Sequence, residues 1–217
     1  MTVNTELIVL HTTKFGENSV VLHSLSRNYG RRSFMVKGVG SKVQASLLLP
    51  LNILEADVTE TSRSTLYTAR NLTCRHTLNS IRNNLYKNSM TMFISEVLYR
   101  VVKDGTDEPG LYESCVRDIL LLDAVESDFA NFHIRFLLQL AVDLGFSPDR
   151  RGLEPFAGSS IDILESFLNS SFEQSMLIPL SGKVRNEMAE SLLRYLEHHT
   201  DSAINVNSLR VLRELFA

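Results

Sequence analysis

The hydrophobic period of this chain changes once, near residue 76, and that change limits what it can fold into. Before it, short runs rich in β-branched and aromatic residues alternate with turn residues; after it, apolar residues recur at helical spacing. Glu6 to Thr12, Ser19 to Leu25, Arg31 to Val36, Asn52 to Thr59 and Arg63 to Thr68 read as five strands. Gly16, the corner Asn28-Tyr29-Gly30 and the pair Gly38 and Gly40 separate them, because glycine reaches the positive φ that tight turns need. Five short strands predict a small closed or partly closed barrel.

Beyond residue 76, Leu78, Ile81, Leu85, Met92, Phe93, Val97, Leu98 and Val101 mark a long helix that becomes apolar on more than one face, as at the centre of a bundle. A second helix spans Leu111 to Leu122. A third starts near Asp128, repeats Phe129, Phe132, Phe136, Leu140 and Leu144, and ends at Gly145 with Pro148 beyond. Residues 150–182 have weak periodicity around one amphipathic piece, Ile161 to Phe172. Helices over Val184 to Leu196 and Leu209 to Leu215 close the chain. The expected class is α+β, with a five-stranded barrel over residues 1–76 and an all-α domain over residues 77–217, least defined at 150–182.

The charge divides at the same place. The formal net charge of the 217 residues is -3, which gives no hint of a nucleic-acid partner. Residues 1–76 hold nine basic side chains against five acidic ones, net +4, and the remainder is net -7. Such asymmetry points to nucleic acid or another anionic surface. The 44% hydrophobic content suffices for a real core. No run approaches the roughly 18 apolar residues of a membrane span, and the N-terminus lacks a basic region followed by an apolar one. A cytoplasmic protein is expected.

Constellations for catalysis or metal binding are sparse. Cys74 and Cys115 stand far apart, with only His76 near the first, and read as structural thiols. His11 and His23 fall inside strands, and His198 and His199 end a helix, where imidazolium suits the macrodipole. Gly38-Val39-Gly40-Ser41-Lys42 lacks phosphate-loop spacing. Glu55 and Asp57 share one strand face and read as a solvated edge. No enzyme is expected; the alternative is a site assembled from distant residues, such as His23 or His133 with a remote carboxylate.

Strand alternation sorts the basic cluster by face. Arg31, Ser33, Met35 and Lys37 share one side of the third strand; Arg32, Phe34 and Val36 share the other. Phe34 and Val36 suit the barrel interior, which turns Arg31 and Lys37 outward, and Arg32 at the strand's start can reach solvent. Lys14, Arg27 and Lys42 fall in flanking turns. Basic groups on the second and third strands and adjoining loops match how oligonucleotide-binding (OB) barrels track a phosphate backbone. Stacking aromatics are few, namely Phe15, Tyr29 and Tyr67, so binding would lean on charge and show little sequence preference.

Several segments carry a family resemblance. TELIVLHTTKFGENS (residues 5–19), VVLHSLSRNYGR (20–31) and FMVKG (34–38) resemble the start of the RecO family of bacterial recombination mediators. The shared pattern is a strand reading IVL, a [YF]GE turn, a second strand, a GR turn and a strand ending in VKG. FHIRFLLQLAVDLGFSP (132–148) is similar to the family's central helix, which ends in LG[YF]xP. LLRYLEHH (192–199) and SLRVLRELF (208–216) resemble the ending of Bacteroidetes-type members. Many relatives carry a four-cysteine zinc site just after LG[YF]xP. Here residues 149–156 contain no cysteine, so no zinc or other cofactor is expected.

The resemblance implies an OB-fold barrel and a non-catalytic mediator of recombinational DNA repair, cytoplasmic and nucleoid-associated. Such a protein binds single- and double-stranded DNA and anneals complementary strands. It acts with RecR, sometimes with RecF, to load RecA onto DNA coated by single-stranded-DNA-binding protein, whose acidic, Phe-ended C-terminal tail it recognises. The DNA-binding candidates are Lys14, Arg27, Arg31, Arg32, Lys37 and Lys42. The candidates for the tail pocket are Phe132, Arg135, Phe136 and Leu140, for which core packing is the competing role. The other functional reading is an interaction adaptor of the same repair complex with little DNA affinity of its own.

Overall fold

The computed structural model describes residues 2–60, 66–106 and 108–216. Its N-terminal part comprises β1 (Thr2–Lys14), β2 (Ser19–Ser26), β3 (Gly30–Lys37), β4 (Ile53–Thr59) and β5 (Tyr67–Cys74). These close into a barrel in the order β1-β2-β3-β5-β4. Every pairing is antiparallel except β3 with β5. That connectivity is an OB fold.

The run Leu7-Ile8-Val9-Leu10 does not alternate between apolar and polar because β1 is buried on both faces. Leu7 and Val9 point into the barrel beside Leu22, Phe34, Val36 and Leu54. Ile8 and Leu10 point outward and, with Leu25, Leu51 and Ile53, join the core of the helical part. One wall of the barrel is thus a packing surface.

The fifth strand lies later than the period predicts. Of the expected Arg63 to Thr68, residues 63–65 lie outside the described residues, and the strand observed is Tyr67–Cys74. Asn71 takes φ 53, and the register with β4 slips between Glu55 and Asp57. Two residues, Asn71 and Leu72, therefore oppose the single Ala56. This bulge puts Ala69 and Leu72, three positions apart, into the same interior and hides the strand's period of two.

After the barrel come α1 (Asn79–Asn83), α2 (Leu85–Val101), α3 (Leu111–Ala124), α4 (Phe132–Asp143), α5 (Arg150–Ala157), α6 (Ile161–Leu168), α7 (Phe172–Met176), α8 (Gly182–Thr200) and α9 (Ser208–Leu215). The expected single helix from Leu78 is two. Asn84 is extended (φ -117, ψ 116), and its side chain accepts from the backbone N–H groups of Tyr86 and Lys87, which starts α2 afresh. The expected third helix starts at Phe132 instead of Asp128, whose φ of 56 is left-handed and not helical. Residues 150–182 fold into α5, α6 and α7, each too short to establish a period.

Polar ties join the two parts. On α1, Arg82 Nη2 donates to the Pro50 carbonyl and to Asn52 Oδ1, both at 2.7 Å. On α3, Tyr112 donates to Glu6 Oε2 of β1 at 3.2 Å. Burial and the Glu6 charge push the Tyr112 phenol well above its usual range.

Candidate nucleic-acid interface and partner pocket

The alternation on β3 follows the expected faces: Phe34 and Val36 are fully buried inside the barrel. Among the described residues β3 and β5 pair only at Phe34 with Tyr67 and Met35 with Thr68. The strands then diverge and open a cleft of about 460 Å³ lined by Lys37, Gly38, Lys42, Val43 and residues 68–72. Gly38, at φ +80, folds the following loop back: its carbonyl accepts from the N–H groups of Ser41 (3.2 Å), Lys42 (2.7 Å) and Val43 (2.9 Å). Lys42 thereby returns to the side of Lys37, and Arg70 faces both from β5. Lys37, Lys42 and Arg70 are exposed. Among the described residues none has a carboxylate within 4.0 Å. Three unneutralised cations around one cleft suit a phosphate chain. Strand periodicity does not point to Arg70, because it ends the fifth strand at Thr68, before this position; its one sequence signal is membership of the basic first third.

The other candidates have different surroundings. Lys14 is exposed at the end of β1, next to Phe15, which is 57% exposed and free to stack on a base. Tyr29 and Tyr67 instead pack edge to face, 5.5 Å between centroids, and the Arg32 guanidinium sits 4.8 Å from the Tyr67 centroid. Arg27 is half exposed and divided between Glu6 (3.4 Å) and Glu113 (3.3 Å). Arg31, only 12% exposed at its side chain, reaches Asp104 at 3.8 Å. Its backbone carbonyl accepts from Gly105 N–H at 2.8 Å, and its N–H donates to the Thr106 carbonyl at 3.1 Å. The structure thus brings Lys37 and Lys42 together with Arg70, and engages Arg27 and Arg31 within the chain.

The histidines considered for a dispersed active site have local roles. His23 shares hydrogen bonds with Ser33 Oγ (2.8 Å) and Thr13 Oγ1 (3.2 Å), and burial, followed by His11 and Arg31, lowers its pKa. His133 is buried against Phe93 and Phe216, and burial, with the Arg185 charge, pushes it down to about 3.

On the helical part, Phe132, Arg135 and Phe136 line a cavity of about 250 Å³. Leu140 is 1% exposed in the core and does not reach it. The period of α4 puts residues 132, 135, 136 and 139 on one face. Against it α3 contributes Arg117, Asp118 and Leu121, and α7 contributes Phe172. The Phe132 and Phe172 rings meet edge to face at 6.0 Å. Arg117 donates to Ser114 Oγ at 2.7 Å and pairs through Nε with Asp118 at 3.3 Å. Burial pushes the Asp118 carboxyl up to about 6, against the pull of Arg117. Arg117, Asp118 and Phe172 escaped sequence reading because they come from helices not adjacent in period to α4. Three aromatic rings beside two guanidiniums can accept an aromatic side chain with a carboxylate.

Comparison with known proteins agrees with the fold. The family described as Recombination protein O N terminal matches residues 1–77, and Recombination protein O C terminal matches residues 82–152. The DNA repair protein RecO of Christiangramia forsetii is 26% identical over the whole of both chains. That of Bacteroides fragilis is 29% identical over 96% of this chain and 97% of its own. That of Porphyromonas gingivalis is 28% identical over all of both. With its barrel, helical part and length all matched, the chain belongs to the RecO family of DNA repair proteins.

Proposed function

We propose that this protein is a non-catalytic recombination mediator that binds single- and double-stranded DNA without sequence preference and anneals complementary strands. In this reading it helps load RecA onto DNA coated by single-stranded-DNA-binding protein, working with RecR and, in some settings, RecF at the nucleoid. The barrel of residues 1–76 holds DNA, and the helical part of residues 77–217 receives protein partners. The observation that carries the reading is the cleft of Lys37, Lys42 and Arg70, three exposed cations converging where β3 and β5 part. Phosphate contacts of this kind hold strands without reading bases. Lys14 and Phe15 stand at the β1–β2 turn, whose Asn18 carbonyl accepts from the N–H groups of Gly38 (2.7 Å) and Val39 (3.0 Å) at the edge of the cleft. The pocket of Phe132, Arg135, Phe136, Arg117 and Phe172 supports docking of the coating protein's acidic, Phe-ended tail. Among the described residues no helix is long and apolar enough to cross a membrane.

The test is the salt dependence of binding to a single-stranded oligonucleotide. Neutralising four to six phosphates gives a slope of log K against log[salt] of roughly -3 to -4, and Lys37→Ala/Lys42→Ala/Arg70→Ala reduces it by about 2. Absence of binding at low salt, with the acidic peptide still bound, replaces this reading with an interaction adaptor. The internal engagement of Arg27 and Arg31 favours that second reading.

A further inference from the structure

The partner pocket contains an acid that its proposed ligand does not need. Asp118 lines the cavity between Arg117 and Arg135, its side chain is 13% exposed, and it holds Arg117 Nε at 3.3 Å. The charged and titratable groups facing it are Arg117 and the buried Cys115 thiol on α3, and Arg135 and Asp143 on α4; α7 adds the uncharged ring of Phe172. Asp143 is itself tied to Gln139 Nε2 at 2.8 Å. A ligand carboxylate entering this cavity therefore meets one guanidinium already paired and a like charge a few ångströms away.

Building on the assignment of this cavity to an acidic, aromatic-ended peptide, we propose that Asp118 is a resident competitor of the ligand carboxylate. It occupies Arg117 when the pocket is empty and holds affinity for acidic peptides below what the two arginines alone would give. Its carboxyl titrates near pH 6, so protonation removes the like charge and frees Arg117 together. Affinity is then reduced by the fraction of protein in the competent state. Negative charge inside the receptor is also a selectivity device: a ligand that lacks the aromatic anchor cannot displace it.

The test is fluorescence anisotropy with a labelled peptide of several aspartates ending in a free Phe carboxylate, beside the same peptide as its C-terminal amide. The wild-type protein, Asp118→Asn, Asp118→Ser and Arg135→Ala are compared at about pH 7.5 and about pH 5.5, where the peptide's own carboxylates stay ionised. The expected results are a roughly 10-fold tighter complex for Asp118→Asn at the higher pH and a several-fold gain for the wild type on acidification. The two Asp118 variants should change less than about twofold with pH. The amide peptide should gain nothing from Asp118→Asn. Equal affinities of wild type and both Asp118 variants at each pH, with binding lost in Arg135→Ala, overturn the competitor role and leave the pocket assignment standing. Failure of every form, including the wild type at the lower pH, to bind the acid peptide overturns the pocket assignment itself. The wild-type pH comparison needs no substitution, so a variant that misfolds does not decide the result.

Discussion

The guanidinium of Arg31, on β3, lies 4.6 Å from the ring centroid of Tyr99, on α2. A residue that its strand face turns outward thus meets the helical part instead of solvent. Together with the Asp104 pair and the backbone bonds to Gly105 and Thr106, this makes Arg31 a bond between barrel and helices. Arg31→Ala is expected to cost about 1–2 kcal/mol of stability, measured by urea unfolding. It should change the salt slope of oligonucleotide binding by less than one phosphate contact, or about 0.7. A loss of slope without a loss of stability would return Arg31 to the DNA surface.

Strand alternation made the interior of β3 readable because Phe34 and Val36 have no other place to go. It could not show what covers the outer face, since that depends on α2, which lies about sixty residues later. The same limit hid Arg70: the positive φ of Asn71 and the bulge beside it shift β5 out of its own pattern. On α4, helical spacing groups Phe132, Arg135 and Phe136, which line one cavity, with Leu140, which shares the stripe yet turns into the core. Periodicity states which residues share a face; whether that face meets a cavity or a neighbouring helix is settled by elements remote in sequence.

The loop that places Lys42 depends on Gly38. A Cβ there would stand 3.2 Å from Lys42 Cβ, on a backbone at φ +80. Gly38→Ala is expected to cost about 1–2 kcal/mol and to weaken oligonucleotide binding as Lys42→Ala does, because the loop must open to relieve the contact. Melting temperature and salt-dependent binding check the two halves. Unchanged binding would show that Lys42 does not need its present position.

A polar joint holds α4, α7 and α8 together. Asn131 Nδ2 donates to the carbonyls of Ser175 (3.0 Å) and Ile178 (2.9 Å), and its Oδ1 accepts from Arg185 Nε at 3.0 Å. Arg185 also donates to the Leu180 carbonyl at 3.0 Å. Asn131→Ala leaves the buried guanidinium short of an acceptor and two carbonyls without a donor, for an expected loss of about 3 kcal/mol. Because α7 carries Phe172 of the partner pocket, acidic-peptide binding should weaken in the same variant. Denaturant unfolding and peptide anisotropy measure these effects, and a loss below about 1 kcal/mol would mean that water replaces the amide.

Two buried groups oppose each other in acid. His133 is held neutral in the fold, down to about 3, whereas the unfolded chain protonates it near 6.5. Its contribution is fully present above about pH 6.5 and is lost as pH falls from there toward 3, at up to about 1.4 kcal/mol per pH unit. Asp118 has the reverse sign. Its folded carboxyl titrates at about 6 against an unfolded value near 3.9, so the fold gains stability as pH falls from about 6 to about 4. Between pH 4 and 6 the two slopes cancel in the wild type. His133→Leu should therefore become more stable on acidification through that window, and Asp118→Asn less stable. Urea midpoints at about pH 7, 6, 5 and 4 for the three proteins measure this. Parallel curves for all three would mean that neither group is buried in the ionisation state assigned to it.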